Sequence, residues 1–142
     1  MKGSLLMSPN ASRILLVEDD SDQAQLFCLL LSMDGYEVIM TPDAESALVR
    51  LTEAPVALLL ADWSLPGMKG DALIRAVKPL YPEIKTILFS NHMHVDEAAT
   101  ACGADGWFRK MDNSTHLRQL VANLLREGTG GQGSQATPRP AA

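Results

Sequence analysis

Acidic, hydroxyl and amino side chains directly follow the apolar runs of this sequence. Glu18 and Asp19 follow the run "RILLV", and Asp62 follows "VALLLA". Ser90 and Lys110 come after two later runs, "TILF" and "GWFR". In an open parallel sheet, the residues beyond the carboxyl ends of the strands line one crevice. We therefore expect these five residues to converge on a single site.

The chemistry of these groups points to phosphoryl transfer assisted by a cation. Three carboxylates at one edge of a sheet repel one another unless a cation neutralises them. Mg²⁺ suits Glu18, Asp19 and Asp62, because it prefers oxygen ligands and commonly binds carboxylates together with phosphate oxygens. Asp62 is also a candidate nucleophile, since a carboxylate can attack phosphorus to form an acyl phosphate. Lys110 would neutralise the transferring oxygens, and the Ser90 hydroxyl would bind the new phosphoryl group.

Two other functions use similar residues, and the sequence disfavours both. A hydrolase with an aspartate nucleophile usually has a second aspartate two positions later as general acid, whereas Ser64 stands there in this chain. A flavin- or nucleotide-binding protein needs a phosphate-binding loop after the first strand, but "VEDDSDQ" has no glycine and several acids. His92 and His94 have no third ligand at metal spacing, so they do not indicate a metal site.

Five apolar runs alternate with segments of helical length along the chain. Continuous rather than alternating apolar runs are typical of parallel strands covered on both faces. The predicted strands are Arg13–Val17, 36–40, 56–61, 86–89 and Gly106–Arg109. The alternation predicts an α/β fold with a doubly wound, five-stranded parallel sheet flanked by five helices.

The first predicted helix has a capping box and an apolar face. Asp20 and Gln23 have the spacing of the box, so Asp20 is interpreted as a structural N-cap, and Gly35 is placed to end the helix. The predicted buried stripe consists of Leu26, Leu29, Leu30 and Met33.

For the second helix, Thr41 followed by Pro42 predicts an N-cap with proline at the first helical position. The remaining helices are predicted at 70–78, Val95–Cys102 and 114–126.

The composition fits one folded domain. The chain has 142 residues, of which 46% are hydrophobic and 20% charged, with a net charge of −5. This acidic balance argues against direct nucleic-acid binding, and no apolar run approaches the roughly 18 residues needed to span a bilayer.

Cys28 and Cys102 lack metal or redox spacing and are interpreted as reduced packing residues of a cytoplasmic protein. We expect a flexible lead-in over 1–12, a folded domain over 13–127, and a disordered tail or linker from 128 to 142.

Over roughly residues 13–126 the sequence resembles the receiver domain of two-component response regulators, in its single-domain, chemotaxis-regulator-like form. Four motifs carry the resemblance in order: "ILLVEDD", "LLLADWSLPGMKG", "TILFSN" and "GADGWFRK". It implies a flavodoxin-like sheet of order 2-1-3-4-5. It also implies that Glu18 and Asp19 are the acidic pair, Asp62 the phosphoacceptor, Ser90 the switch hydroxyl and Lys110 the lysine that contacts phosphate.

The resemblance implies further roles and partners. The Ser64 carbonyl would be a metal ligand, and Trp107 would couple phosphorylation to a partner-binding face around the fourth helix, fifth strand and fifth helix. The phosphoryl donor would be a sensor histidine kinase or a histidine phosphotransfer protein, and the output a downstream effector protein or a homodimer. Such a domain is not a turnover enzyme, since it catalyses only its own phosphorylation and dephosphorylation.

This chain departs from the family pattern near the predicted site. Most receivers have proline after the lysine, but Lys110 is followed by Met111. Asn91 is bulkier than the residue usual after Ser90, and His92 and Ser64 stand where side chains flank the phosphoryl group. We hypothesise that His92 and Ser64 tune the lifetime of the acyl phosphate. The alternative function is a receiver-like interaction module that acts without phosphorylation.

Overall fold

A computed structural model describes residues 13–130 of the chain. The predicted lead-in over 1–12 and residues 131–142 of the predicted tail lie outside the described residues. Strands and helices alternate along the whole described range. The strands are β1 Arg13–Val17, β2 Glu37–Thr41, β3 Leu58–Asp62, β4 Lys85–Ser90 and β5 Gly106–Arg109. The helices are α1 Ser21–Ser32, α2 Ala44–Glu53, α3 Gly70–Leu80, α4 Val95–Cys102 and α5 Ser114–Gly130.

The strands form one parallel sheet with the order β2-β1-β3-β4-β5, which confirms the predicted doubly wound fold. All five residues of β3 are buried, because the sheet is covered on both faces. Alternate residues of β1 enter separate cores: Leu15 packs with α2, α3 and α4, and Leu16 packs with α1 and α5. The runs in the sequence that form β1, β3 and β4 are uniformly apolar because the residues on both faces of each strand are buried under helices.

Helix α1 buries a different face from the one predicted. Leu26, Leu29 and Met33 are 52%, 60% and 64% exposed, so the predicted stripe points largely to solvent. The helix instead buries Phe27 and Leu31, and the Phe27 ring packs edge-on against Phe89 with centroids 5.3 Å apart. Apolar residues occupy more than one side of this helix, so spacing alone does not identify the face that contacts the sheet.

The starts and ends of the helices follow local hydrogen bonding. The prediction that Thr41 caps α2 is wrong. Thr41 is the buried last residue of β2, and its hydroxyl donates to the carbonyl oxygen of Leu16. Asp43 is the N-cap of α2 and accepts a 2.7 Å hydrogen bond from the Ser46 N–H. The last residue of α1 is Ser32, and the turn after it closes at Gly35 as predicted: Gly35 has a φ of 93°, and the Tyr36 N–H donates to the Leu31 carbonyl. Helix α4 is followed by Gly103, which has a φ of 81°. Within the described range, no helix is long and apolar enough to cross a bilayer.

Candidate functional site

The ends of β1, β3 and β5 bring three charged side chains into contact. The ammonium nitrogen of Lys110 lies 2.8 Å from Glu18 Oε1 and 3.1 Å from Asp62 Oδ2. The backbone N–H of Lys110 donates to the Ser90 carbonyl, which joins the ends of β4 and β5. Four of the five residues singled out in the sequence are therefore linked, directly or through backbone, at the carboxyl edge of the sheet.

Asp19 completes a group of three carboxylates at this edge. Oxygens of Glu18, Asp19 and Asp62 all lie within 4.8 Å of one another. Glu18 and Asp62 are each 3% exposed, while Asp19 faces solvent. A set of hard oxygen donors with one open side fits Mg²⁺, which retains several waters when protein carboxylates bind it.

Glu18 is a buried carboxylate held by two donors. Its Oε1 accepts from Lys110 Nζ, and its Oε2 accepts a 3.0 Å hydrogen bond from the Asp20 N–H. Burial raises the pKa of Glu18 above its ordinary value, although the bonds from Lys110 and Asp20 oppose this and the charge of Asp62 adds to it. The ionised form of Glu18 therefore depends on the cationic group beside it.

Gln23 is part of the site although the sequence indicated only a capping role for it. Its side-chain carbonyl oxygen lies 2.6 Å from Lys110 Nζ, the shortest of the three hydrogen bonds made by this ammonium group. The Asp20 side chain does cap α1, since it accepts from the Gln23 backbone N–H at 3.1 Å. The side chain of Gln23 therefore binds the lysine instead of returning to the N-cap.

Asp62 is held by its own loop and by a close backbone approach. Its Oδ1 accepts a 3.1 Å hydrogen bond from the Ser64 N–H, and its Oδ2 accepts from Lys110. Gly70 N–H donates to the Trp63 carbonyl, and a Cβ at Gly70 would overlap the carbonyl oxygen of Asp62. Only glycine allows α3 to begin so close to the end of β3. Nothing in the sequence marked Gly70 for this role.

Ser90 and the loop after it form the second wall of the site. Ser90 is 3% exposed, and its Oγ accepts a 3.0 Å hydrogen bond from the His92 N–H. The His92 ring contacts Trp63 edge-on with centroids 5.1 Å apart, and its Nδ1 accepts from the His94 N–H. The loops after β3 and β4 are thus connected through two aromatic rings.

The roles predicted for Trp107 and Ser64 stay predictions. Trp107 is half-buried on the edge strand β5, packs against the core shared with α4, and has the Arg109 guanidinium 5.1 Å from its ring centroid. Ser64 is exposed, and its backbone N–H donates to Asp62 Oδ1 in the turn that follows β3.

Comparison with known proteins matches the chain and its fold to one family. The model of the response regulator receiver domain matches residues 14–125. The response regulator receiver protein CpdR of Brucella abortus is 34% identical over 116 residues, which cover 79% of this chain and 92% of CpdR. The response regulator protein FleR of Pseudomonas aeruginosa is 32% identical over 79% of this chain, but the match spans only 24% of FleR.

Solved structures give the same result. A CheY-like receiver domain from Methanospirillum hungatei has a TM-score of 0.79 at 27% identity, over 85% of this chain and 98% of that one. The response regulator TrrA from Thermotoga maritima, solved in complex with Mg²⁺-BeF, has a TM-score of 0.75 at 26% identity, over 80% of this chain and 98% of that one.

Proposed function

Because this chain belongs to the response regulator receiver domain family, we propose that Asp62 accepts a phosphoryl group and thereby switches a protein-binding face. The observation that supports this most directly is the contact of Lys110 Nζ with Asp62 Oδ2, in a group of carboxylates open on one side. A buried acceptor beside a fixed cation is the arrangement that phosphoryl transfer requires, since the reaction depends on positioning and charge neutralisation.

The proposed cofactor is Mg²⁺, held by Glu18, Asp19, Asp62 and the carbonyl of Ser64. The three side chains supply oxygen ligands within 4.8 Å of one another, and the related TrrA was solved with Mg²⁺-BeF. When bound, the ion would neutralise charge on the transferring phosphoryl oxygens. The excess of carboxylates over ammonium groups at this edge is the feature of this chain that fits such an ion.

The chain's own residues supply the remaining steps. An Asp62 carboxylate oxygen forms a bond to phosphorus as the phosphorus–nitrogen bond of a donor phosphohistidine breaks, and the electron pair passes to the imidazole nitrogen, which takes up a proton from water. The ammonium group of Lys110 neutralises negative charge on the phosphoryl oxygens during the transfer. The Ser90 hydroxyl then donates a hydrogen bond to the new phosphoryl group, which draws the loop after β4 inward.

The proposed output is a change at the face formed by α4, β5 and α5, where Trp107 is the coupling residue. The donor would be a sensor histidine kinase or a histidine phosphotransfer protein, and the recipient an effector protein or a second copy of the chain. The domain, over residues 13–127, would act in the cytoplasm, without binding nucleic acid directly and without turnover catalysis on other substrates.

The chain spans 24% of FleR and 52% of the transcriptional regulatory protein PhoB of Escherichia coli, so the activities of those longer proteins are not assigned to it.

Intact-mass measurement after incubation with acetyl phosphate and Mg²⁺ tests the proposal. The wild type should gain one phosphoryl adduct that depends on Mg²⁺, and Asp62→Ala should gain none. Glu45→Ala removes a carboxylate from an exposed position of α2 and should be phosphorylated as the wild type is. A wild type that folds but gains no adduct would support the alternative, a receiver-like interaction module that works without phosphorylation.

A further inference from the structure

The three hydrogen bonds of the Lys110 ammonium group differ in the charge of their acceptors. Two go to Glu18 and Asp62, which are carboxylates of the proposed metal site. The third, at 2.6 Å, goes to the neutral side-chain oxygen of Gln23. An ammonium group has three donors, so this set of acceptors uses all of them.

The contacts of Lys110 with the two carboxylates weaken when a divalent cation is bound, which is also when the lysine must act on the phosphoryl group. A carboxylate that shares its charge with a divalent cation attracts an ammonium group less strongly than a free one does. Lysine has a flexible four-carbon stem, so it moves away readily when its partners weaken. The bond to Gln23 does not depend on the charge of either carboxylate, and it therefore remains when Glu18 and Asp62 are occupied.

Gln23 itself is well placed to hold another side chain. It is the third residue of α1, and its backbone N–H is fixed by the Asp20 N-cap. The Asp20 N–H in turn donates to Glu18 Oε2, so α1 begins in direct contact with the site. A residue on the first turn of a capped helix has little freedom of movement, and the helix needs only the backbone of Gln23 for its cap.

We propose that Gln23 is a positioning residue that keeps Lys110 directed at Asp62 while a divalent cation occupies the carboxylates. This inference rests on the proposed phosphoacceptor role of Asp62. Gln23 contacts neither the phosphoryl donor nor the proposed ion in this scheme and acts through the lysine alone.

Three variants separate this role from a structural one. Gln23→Met keeps the length of the side chain but removes the oxygen acceptor, and Gln23→Glu keeps an oxygen of the same reach. Gln25→Met makes the same change of glutamine to methionine at an exposed position of α1, and it serves as the matched control. The folding of each variant is checked by circular dichroism before the comparison.

The first readout is the side-chain NH₃⁺ signal of Lys110, measured by NMR at saturating Mg²⁺. Hydrogen-bonded ammonium protons exchange slowly with water, so the wild type, Gln23→Glu and Gln25→Met should show the signal. Gln23→Met should lose it. The affinity for Mg²⁺, followed by the fluorescence of Trp63 next to the acceptor, should stay within about twofold of the wild type in Gln23→Met, because the proposed ligands are unchanged.

The second readout is the rate of phosphorylation by acetyl phosphate at saturating Mg²⁺. Gln23→Met should react about tenfold more slowly, the factor that corresponds to one lost hydrogen bond to a charged group. Gln23→Glu should recover most of this loss. A Gln23→Met protein that matches Gln25→Met in both signal and rate overturns the proposal, as does equal impairment of Gln23→Met and Gln23→Glu. A fall in Mg²⁺ affinity that accounts for the slower rate overturns it too. If the wild type gains no phosphoryl group, the proposed function fails, and the NH₃⁺ signals still decide the role of Gln23.

Discussion

Lys110 donates a 3.1 Å hydrogen bond to Asp62 although 48 positions separate the two residues in the sequence. The same ammonium group binds Glu18, and the side chains of these two carboxylates are only 4% and 1% exposed. Before any metal binds, the two carboxylates share the single positive charge of this lysine. We therefore expect the stability of the folded chain and its response to Mg²⁺ to be coupled through Lys110.

Lys110→Met should make the fold depend on Mg²⁺. Removing one partner of a buried ion pair leaves uncompensated charge, and we expect a loss of about 3 kcal/mol in the free energy of unfolding. Mg²⁺ should restore more stability to this variant than to the wild type, because the ion replaces the missing cation. Chemical denaturation with Mg²⁺ and with EDTA measures the difference.

Lys85→Met is the control for the loss of one positive charge. Lys85 begins β4 at the opposite edge of the sheet, so its substitution should change the response to Mg²⁺ little. If Lys110→Met and Lys85→Met respond equally to Mg²⁺, then the lysine does not neutralise the carboxylates in the manner inferred.

The buried face of α1 gives a second prediction. Phe27 is 5% exposed and packs against Phe89 and Phe108, whereas Leu29 is 60% exposed. We expect Phe27→Ala to lower the free energy of unfolding by about 3–5 kcal/mol, because it leaves a cavity between the helix and the sheet. Leu29→Ala should change it by less than about 0.5 kcal/mol. Urea denaturation of the two variants distinguishes this arrangement from the face predicted by spacing, for which the larger loss would occur at Leu29.

The sequence predicts the fold and the meeting of the charged residues for the same reason. Parallel strands end at one edge, so the residues after them must gather there, and Glu18, Asp62 and Lys110 do. The sequence does not predict which of two locally equivalent arrangements a helix face or a side chain adopts. The apolar spacing in α1 suits two faces, and only contact with the rings of β4 and β5 decides between them. Likewise, the spacing of Asp20 and Gln23 suits a capping box, and the proximity of a lysine 87 positions away redirects the glutamine.

The ion pair between Asp34 and Arg118 gives a prediction about pH. Arg118 binds Asp34 through two hydrogen bonds of 2.6 and 2.9 Å, which join the end of α1 to α5. These bonds lower the pKa of Asp34 below its ordinary value of 3.8. The pair therefore stabilises the fold above that value, and this contribution is lost as the pH falls through the lowered pKa.

Asp34→Asn should accordingly be slightly less stable than the wild type at pH 7, and the difference should shrink as the pH falls below 3.8. Thermal unfolding at a series of pH values measures the difference. The double variant Asp34→Asn/Arg118→Gln completes a cycle, and the coupling between the two sites should vanish at low pH. A difference that persists unchanged at pH 2 would show that the carboxylate charge is not its cause.

The contact between Trp63 and His92 supports a prediction about the lifetime of the acyl phosphate. Trp63 directly follows Asp62 on the loop after β3, His92 lies on the loop after β4, and the ring centroids are 5.1 Å apart. We expect this pair to restrict the approach of water to a phosphoryl group on Asp62. His92→Ala should then lose the phosphoryl group about threefold faster, a change of ~0.7 kcal/mol in the barrier.

The decay of the phosphoryl adduct, followed by intact mass after removal of the donor, measures this rate. His94→Ala is the matched control, because it removes the neighbouring imidazole yet keeps the backbone N–H that binds His92 Nδ1. We expect the wild-type rate in His94→Ala. Equal rates in the wild type and His92→Ala would mean that the ring shapes the loop without controlling access to the acceptor. A slower rate in His92→Ala would mean that the imidazole assists the attacking water instead of obstructing it.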